Sequence, residues 1–425
     1  MSKTLSIAIC GCGPAGLSAA LFLHRAGHRV CVFDQFERPG PVGSGLILQP
    51  TGLAALEALG LREQVLRLGA RIERLFGRAV PSQRVVLDVR YEAMGARWHG
   101  VAIHRAALFD VLHRTAQAEH IPIVPATRLT RVAIERGQAM LFARQDRHLG
   151  AFDLVVDALG ANSVLAPATR RSALPFGALW ATVPWVGGVF RENALEQRYR
   201  RANEMAGVLP VGRQTVDGPP QATFFWSLKH ADEARWRSES IEAWKAQVHA
   251  LWPETEPFLA AIERHESLTF ARYDHFTVSR PWSERVVHIG DCAHATSPQL
   301  GQGANMALLD TLALTWALEE NDELTQALPR YARMRFWHVR LFQAASALFT
   351  PFYQSDSRLL AFVRDRITAP ISTLPGANAL LARLVSGMTV PPLGRRCRER
   401  LASLLLAARD GLAQPESLTE TTDGA

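Results

Sequence analysis

Apolar and polar positions fall into two regimes along the chain. An unbroken apolar run over Leu5–Cys10 predicts a buried strand, and a glycine turn follows it. Apolar residues then recur with a helical period from Pro14 to about Ala26, where Gly27 marks the stop. A second strand over Arg29–Phe33 ends at Asp34. Strand, glycine turn, helix and strand in that order predict an α/β fold with a doubly wound, Rossmann-like parallel sheet. A helix over Thr51–Leu59, closed by Gly60, and another starting near Arg105 continue the pattern.

From about Leu129 the period shortens. Arg131–Glu135, Gln138–Ala143 and Asp153–Asp157 read as strands, with Gly137 at a turn. Between Phe176 and about Val278 lie strand-like pieces (Ala178–Val183, Ala222–Ser227) and a helix, Ser240–Trp252, stopped by Pro253. Six of the ten tryptophans are here, which predicts a second, sheet-based domain inserted within the first. At Val286 the chain returns to a strand, a glycine motif and a helix over about Ala304–Leu318. Beyond Leu324 it reads as helical, with Pro351, Pro370 and Pro375 as breaks. The expected organisation is a discontinuous first domain (1–72, 100–170 and 279–330) and an inserted domain (73–99 and 171–278). A C-terminal helical region (331–413) and a flexible polar tail (414–425) complete it.

Composition narrows the function classes. A chain of 425 residues, 48% hydrophobic and 20% charged, is long enough for two cores and too apolar for disorder. The net charge is +7, yet only Lys3, Lys229 and Lys245 are lysines, and arginine is spread through every segment. No basic block is interleaved with stacking aromatics, which excludes a nucleic-acid groove. Five cysteines (Cys10, Cys12, Cys31, Cys292 and Cys397) with no CxxC pair exclude a disulfide framework and a structural zinc site. Residues 1–25 lack a basic n-region and a cleavage site, and no run of 18 apolar residues exists, so the expected location is cytoplasmic.

Two motifs carry chemistry. Gly11-Cys12-Gly13-Pro14-Ala15-Gly16 follows a strand, opens a helix and precedes Asp34 by 18 positions. Gly11 permits the tight turn, Gly13 the approach of backbone to a pyrophosphate, and Gly16 close helix–sheet packing. The phosphates belong at the helix N-terminus, and Asp34 at the hydroxyls of a ribose. The motif by itself leaves FAD and NAD open. Gly290-Asp291-Cys-Ala-His294-Ala-Thr-Ser-Pro298-Gln-Leu-Gly301-Gln-Gly303-Ala304-Asn305 is the second and more specific stretch. Asp291 stands at the carboxyl end of a buried strand, where it can bind a polyol or ribose hydroxyl. Gly301 and Gly303 let backbone approach a ring, and the following helix directs positive potential at it. His294 reads as a packed or hydrogen-bonded side chain.

These segments, with Gly43-Ser-Gly45-Leu-Ile-Leu-Gln49-Pro and His104-Arg105-Ala-Ala-Leu108, resemble the single-component FAD monooxygenases of the para-hydroxybenzoate and ubiquinone-biosynthesis hydroxylase type. The resemblance spans nearly the whole chain. It implies FAD, with Asp291 on its ribityl or ribose part and Pro298, Gly301, Gly303, Ala304 and Asn305 at the isoalloxazine. Arg105 falls on the phosphates or adenine side, Asp34 on the adenosine ribose with Arg38 nearby, and Leu129 against adenine; Gly45 is a further FAD contact. The implied reaction starts with reduction of FAD by NAD(P)H. O2 then adds to give a flavin C4a-hydroperoxide, and one oxygen passes to an aromatic or other electron-rich, lipophilic ring. No catalytic acid or base is assignable, because the cofactor carries the difficult chemistry.

The chain departs from the resemblance at its third motif. Where the family has a strand followed by Gly-Ala-Asp-Gly, two residues and Ser, this sequence has Asp157-Ala158-Leu159-Gly160-Ala161-Asn162-Ser163, and the later arginine is Ala166. Either Asp157 supplies a displaced carboxylate or the turn keeps its shape without its polar function. Other chemistry on the same scaffold therefore stays open: an oxidase or reductase, or a flavin-binding protein without turnover. A halogenase would need a lysine beside the flavin and a WxWxIP segment; no lysine lies between Lys3 and Lys229, and Trp180-Ala-Thr-Val-Pro184 does not match. Phe225 and Trp226, with Phe224, Trp180 and Trp185, are candidates for an apolar pocket wall, and Tyr273 and His275 (with Asp274) for polar contacts to a substrate. Arg395, Arg396, Arg398 and Arg400 follow apolar-faced helices, a pattern compatible with solvated arginines or with peripheral contact at an acidic membrane.

Overall fold

The computed structural model describes residues 3–38, 40, 45–167, 169 and 171–410; the expected tail 414–425 and Gly43 of the motif lie outside the described residues. Strand β1 (Ser6–Cys10) shows no alternation because both of its faces are covered. Ile7 and Ile9 pack in a helical core with Leu17 and Leu21, while Ala8 and Cys10 pack against Leu141 and Phe152 of a three-stranded meander. With β2 (Arg29–Phe33), β3 (Ile123–Val124), β4 (Leu154–Asp157) and β5 (Val286–His288) it forms a parallel sheet in the order β5-β4-β1-β2-β3. Helices α1 (Pro14–Arg25), α2 (Gly303–Glu319) and α3 (Leu324–Tyr353) supply the helical core. This is the expected α/β architecture: a Rossmann-like region, a sheet-based second region and C-terminal helices.

β4 and β5 are neighbours in space but far apart in sequence. The chain between them builds most of a seven-stranded sheet, ordered 269–271, 176–184, 221–229, 204–212, 194–200, 74–79 and 85–90. The last two strands come from the earlier excursion around residues 74–90. Period-two alternation gives this sheet two apolar faces. Leu179, Ala181, Phe224 and Trp226 enter one core with Trp236, Trp244 and Trp252. Trp180, Phe225, Leu209 and Val211 enter another with Ile47 and Ala102, which belong to the first region.

Two expectations about the C-terminal region are corrected. Pro351 does not break a helix: α3 runs through both Pro329 and Pro351 to Tyr353, since a proline in the last turn removes little of the remaining hydrogen-bond ladder. The expected boundary between 330 and 331 consequently falls inside α3. Pro370 likewise lies inside a continuous helical run, 358–372, whereas Pro375 does stand in the first turn of a helix, where a missing N–H costs nothing.

Close approach fixes the glycines of the first turn. A Cβ on Gly16 would lie 1.8 Å from the Gly11 carbonyl oxygen, and one on Gly11 2.6 Å from that of Ala158. Gly16→Ala must therefore push α1 off the sheet at a cost of roughly 3 kcal/mol. A lower thermal melting temperature and reduced flavin content in the purified protein are the expected outcomes; an unchanged melting temperature would contradict the packing described.

Candidate functional site

The carboxyl ends of β1, β4 and β5 are adjacent, and each is followed by a turn. After β1, Gly11 (φ 108°) turns the chain into α1, whose N-terminus carries no side-chain cap. A Cβ on Gly13 would meet nothing within 4 Å, so this turn opens onto free space while its neighbours are tightly packed. Asp34 at the end of β2 accepts the Cys12 N–H on Oδ2 (2.8 Å) and the Phe36 N–H on Oδ1 (3.0 Å). It therefore shapes the glycine turn and still has lone pairs for hydroxyl donors. Arg38 is exposed beyond it, and Leu129 is buried with Phe33 and Cys10.

At β5 the chain turns at Gly290 (φ 65°), and Asp291 is exposed with no hydrogen bond to another described residue. Its Oδ1 lies 3.8 Å from the point where Gly303 would carry a Cβ. Pro298–Leu300 form a short turn, Gly301 adopts a left-handed conformation (φ 60°), and α2 opens without a side-chain cap. Its first N–H groups are thus unsatisfied donors carrying the positive end of a 17-residue helix. The Asn305 side chain is wholly buried and acts as a clamp, so only its backbone is left toward the turn. Its Oδ1 accepts the Gln49 N–H (2.8 Å), and its Nδ2 donates to the carbonyls of Ile47 (3.0 Å) and Gly301 (2.9 Å). The Gly45–Leu48 strand is thereby tied to the ring-side turn.

The β4 turn settles the departure at the third motif. Asp157 has no exposed surface. Its Oδ2 accepts from Ser163 Oγ (2.7 Å) and lies 2.8 Å from His288 Nδ1, and its Oδ1 accepts the Leu159 N–H (3.1 Å). The carboxylate is fully used inside the protein, so the displaced-carboxylate reading is overturned. Leu159 is partly buried in the meander core. With Cys292, Asp157 and His288 form a group of metal-ligand type, but the thiol hydrogen-bonds to the Asp157 and Ile289 carbonyls, and burial pushes it well up.

Beneath the β5 turn lies a network the sequence did not announce. Asp310 on α2, fully buried, accepts the Gly290 N–H (2.8 Å) on Oδ2, which also lies 2.6 Å from His294 Nε2. Its Oδ1 accepts from Arg335 Nε (2.7 Å). Arg335 also donates to the Pro392 carbonyl, and His338 Nε2 meets the Gly387 carbonyl at 3.1 Å. Burial raises the Asp310 carboxyl, but His294 and Arg335 outweigh it and bring it down to about 2. The available signal was a lone acid inside the apolar run Met306–Trp316.

The candidate pocket residues separate. Trp180 and Phe225 stack at 4.8 Å between ring centroids, and Trp180 Nε1 donates to Tyr273 Oη (2.9 Å). Burial pushes the Tyr273 phenol up, with the Trp180 bond and the Arg105 charge pulling the other way, so it stays protonated. Arg105 is exposed at the start of helix Arg105–Ala118, whose preceding residue His104 caps that helix and touches Thr182 Oγ1 (2.9 Å). His275 lies beside the ring-side turn: the next residue, Phe276, donates its N–H to the Ala295 carbonyl. Burial lowers the His275 imidazole. Trp226 is the exception. Being next to Phe225 on one strand, it points to the opposite face, into the core with Trp244, as do Phe224 and the neighbouring Trp185.

A family profile described as "FAD binding domain" matches residues 4–327. The aurachin C monooxygenase/isomerase of Stigmatella aurantiaca is 26% identical over 390 residues, 88% of this chain and 96% of that protein. The 3-amino-4-hydroxybenzoate 2-monooxygenase of Streptomyces cremeus is 29% identical, over 79% of this chain and 84% of its own. Among solved structures, Klebsiella pneumoniae HpxO complexed with FAD and uric acid aligns with a TM-score of 0.77 at 18% identity, covering 92% of this chain and 98% of that one.

The buried acid generates a prediction. Asp310→Asn leaves Arg335 buried without its counter-charge and should destabilise the protein by about 3–5 kcal/mol. Because the native carboxyl titrates near 2 against 3.8 when unperturbed, its contribution is complete above the higher value and is lost as pH falls through the lower one. Thermal melting of both proteins between pH 7 and pH 3 checks this. A variant as stable as the parent at pH 7 would count against it.

Proposed function

We propose, on the premise that this chain belongs to the FAD-binding-domain family and is an FAD-dependent oxidoreductase, that it is a monooxygenase placing one atom of O2 on an aromatic or heteroaromatic ring, with NAD(P)H as reductant. The observation carrying this reading is a pair of open turns at the carboxyl ends of strands in one parallel sheet, each with a carboxylate beside it. One is the open Gly13 turn with Asp34; the other has the unpartnered Asp291 and the free N–H groups of α2. A dinucleotide running from adenosine to flavin needs both.

In this reading Gly11, Gly13, Pro14, Ala15 and Gly16 hold the pyrophosphate. Asp34, Arg38 and Leu129 hold the adenosine side. Arg105 and Asp291 hold the phosphate and ribityl part, and Gly45, Pro298, Gly301, Gly303, Ala304 and Asn305 the ring. FAD, when bound, supplies the reducing equivalents and the activation of O2. The N-terminus of α2 stabilises negative charge at the pyrimidine edge, and Trp180 with Phe225 form an apolar wall that excludes water. Tyr273, kept protonated, donates its hydroxyl proton to a polar atom of the substrate, and His275 borders the same side. The names of the relatives, an aurachin and an aminohydroxybenzoate monooxygenase, support a ring substrate. The narrower para-hydroxybenzoate type is the finer form of this proposal; Leu159 in the third motif separates the chain from its pattern.

The test is to follow NADH and NADPH oxidation by the FAD-loaded protein with phenols, hydroxyquinolones and aminohydroxybenzoates, under 18O2. Ring-stimulated oxidation and one labelled oxygen in the product are expected. Peroxide without a labelled product would make it an oxidase, and a requirement for a separate reductase would also refute the mechanism. Tyr273→Phe should retain FAD and lower kcat/KM about tenfold, the scale of one substrate hydrogen bond. Asp291→Ala should purify with markedly less flavin.

A further inference from the structure

Arg358–Val363, Arg364–Thr368 and Ala369–Ser372 run on as one helix with a wider turn in its middle. One face is buried on Ala361, Arg364 and Ala369, with Arg364 donating to the carbonyls of Phe352 (3.0 Å) and Arg201 (2.8 Å). The other face is a stripe of large apolar side chains at helical spacing: Leu359, Phe362, Ile367 and Ile371, continued by Leu374 and by Leu380 on helix Pro375–Val385. All six are between 50% and 68% exposed. Single exposed apolar residues need no explanation, but a contiguous stripe does.

The charge beside the stripe selects its partner. Arg358, Arg366 and Arg383 are exposed, and none is in an ion pair among the described residues. The one acid between Ser357 and Val385 is Asp365, held by Arg364 at 2.7 Å. A second copy of the chain meeting this face across a two-fold axis would bring arginines together with no acid to neutralise them. An anionic lipid surface neutralises them and takes up the apolar side chains together. No helix among the described residues is long and apolar enough to cross a membrane, so this face would lie in the interface. Its buried side belongs to the site's own packing: Ala369, Ala382 and Val385 share a core with Trp180 and Phe225.

We propose that Leu359–Leu380 is a docking face for an anionic bilayer, independent of the reaction the protein performs. The FAD-loaded protein is floated with vesicles of phosphatidylcholine alone and of phosphatidylcholine with phosphatidylglycerol, at low and high salt. Partition onto the anionic vesicles, weakened by salt, is expected. So is slowed amide exchange confined to the 358–380 stretch when vesicles are present. The double variant Leu359→Ser with Phe362→Ser should lower partition at least about tenfold, and Arg366→Glu with Arg383→Glu should weaken it while retaining flavin absorbance. Failure of the parent protein to bind either vesicle overturns the proposal. So does vesicle binding without protection in this stretch. A concentration-dependent dimer abolished by the serine variant would assign the face to a second copy instead.

Discussion

Two carboxylates with no exposed surface, Asp157 and Asp310, hold the turns after β4 and β5. Asp157 closes β4. It gathers Ser163, His288 and the Leu159 N–H, while its backbone carbonyl receives the Ile289 N–H from the neighbouring β5. Asp310 reaches from α2 to the Gly290 N–H and is balanced by His294 and Arg335. The order β5-β4-β1 sets these turns beside the glycine turn after β1, so tightly that Gly11 has no room for a side chain against Ala158. Neither acid has exposed surface. Both act by fixing the backbone of these turns.

Buried charge is costly, and it persists here because each oxygen is satisfied. The benefit is rigidity in the turns whose backbone N–H groups are left without partners in the protein. Two helices without a side-chain N-cap, α1 and α2, follow strands β1 and β5, which flank β4 in the sheet, and each leaves unsatisfied N–H groups at its start. A displacement of an ångström in either turn would misalign donors with an anion. The acids of the rim, Asp34 and Asp291, differ in kind: the first also supports the glycine turn, whereas the second is left free to meet a hydroxyl.

The strand–turn–helix order and both glycine motifs were legible in the sequence because each is local: a strand, its turn and its helix are consecutive, and the chemistry follows from spacing. What escaped is long-range. Arg335 meets Asp310 from another helix, and His288 meets Asp157 from a strand reached only after the whole inserted sheet. The same limit explains Asp157, which by sequence could have faced the ligand and is instead consumed by Ser163 and His288. It also explains Trp226. Alternation states that Phe225 and Trp226 face opposite ways, but not which way is inward, because both faces of this sheet carry an apolar core.

That asymmetry has a physical origin. The two glycine turns are made of backbone at the ends of consecutive elements, so a short motif specifies each. The candidate substrate surface is made of side chains from three distant stretches: Trp180 and Phe225 on paired strands, Tyr273 at the return toward the first region, and Ala369, Ala382 and Val385 from the C-terminal helices, which share a core with Trp180 and Phe225. No local pattern encodes such a surface, since each strand position is constrained only to be apolar and of suitable volume. Substitution there can change the packing of this surface without disturbing the glycine turns. The side-chain surface proposed to meet the substrate is therefore the part least visible in the sequence.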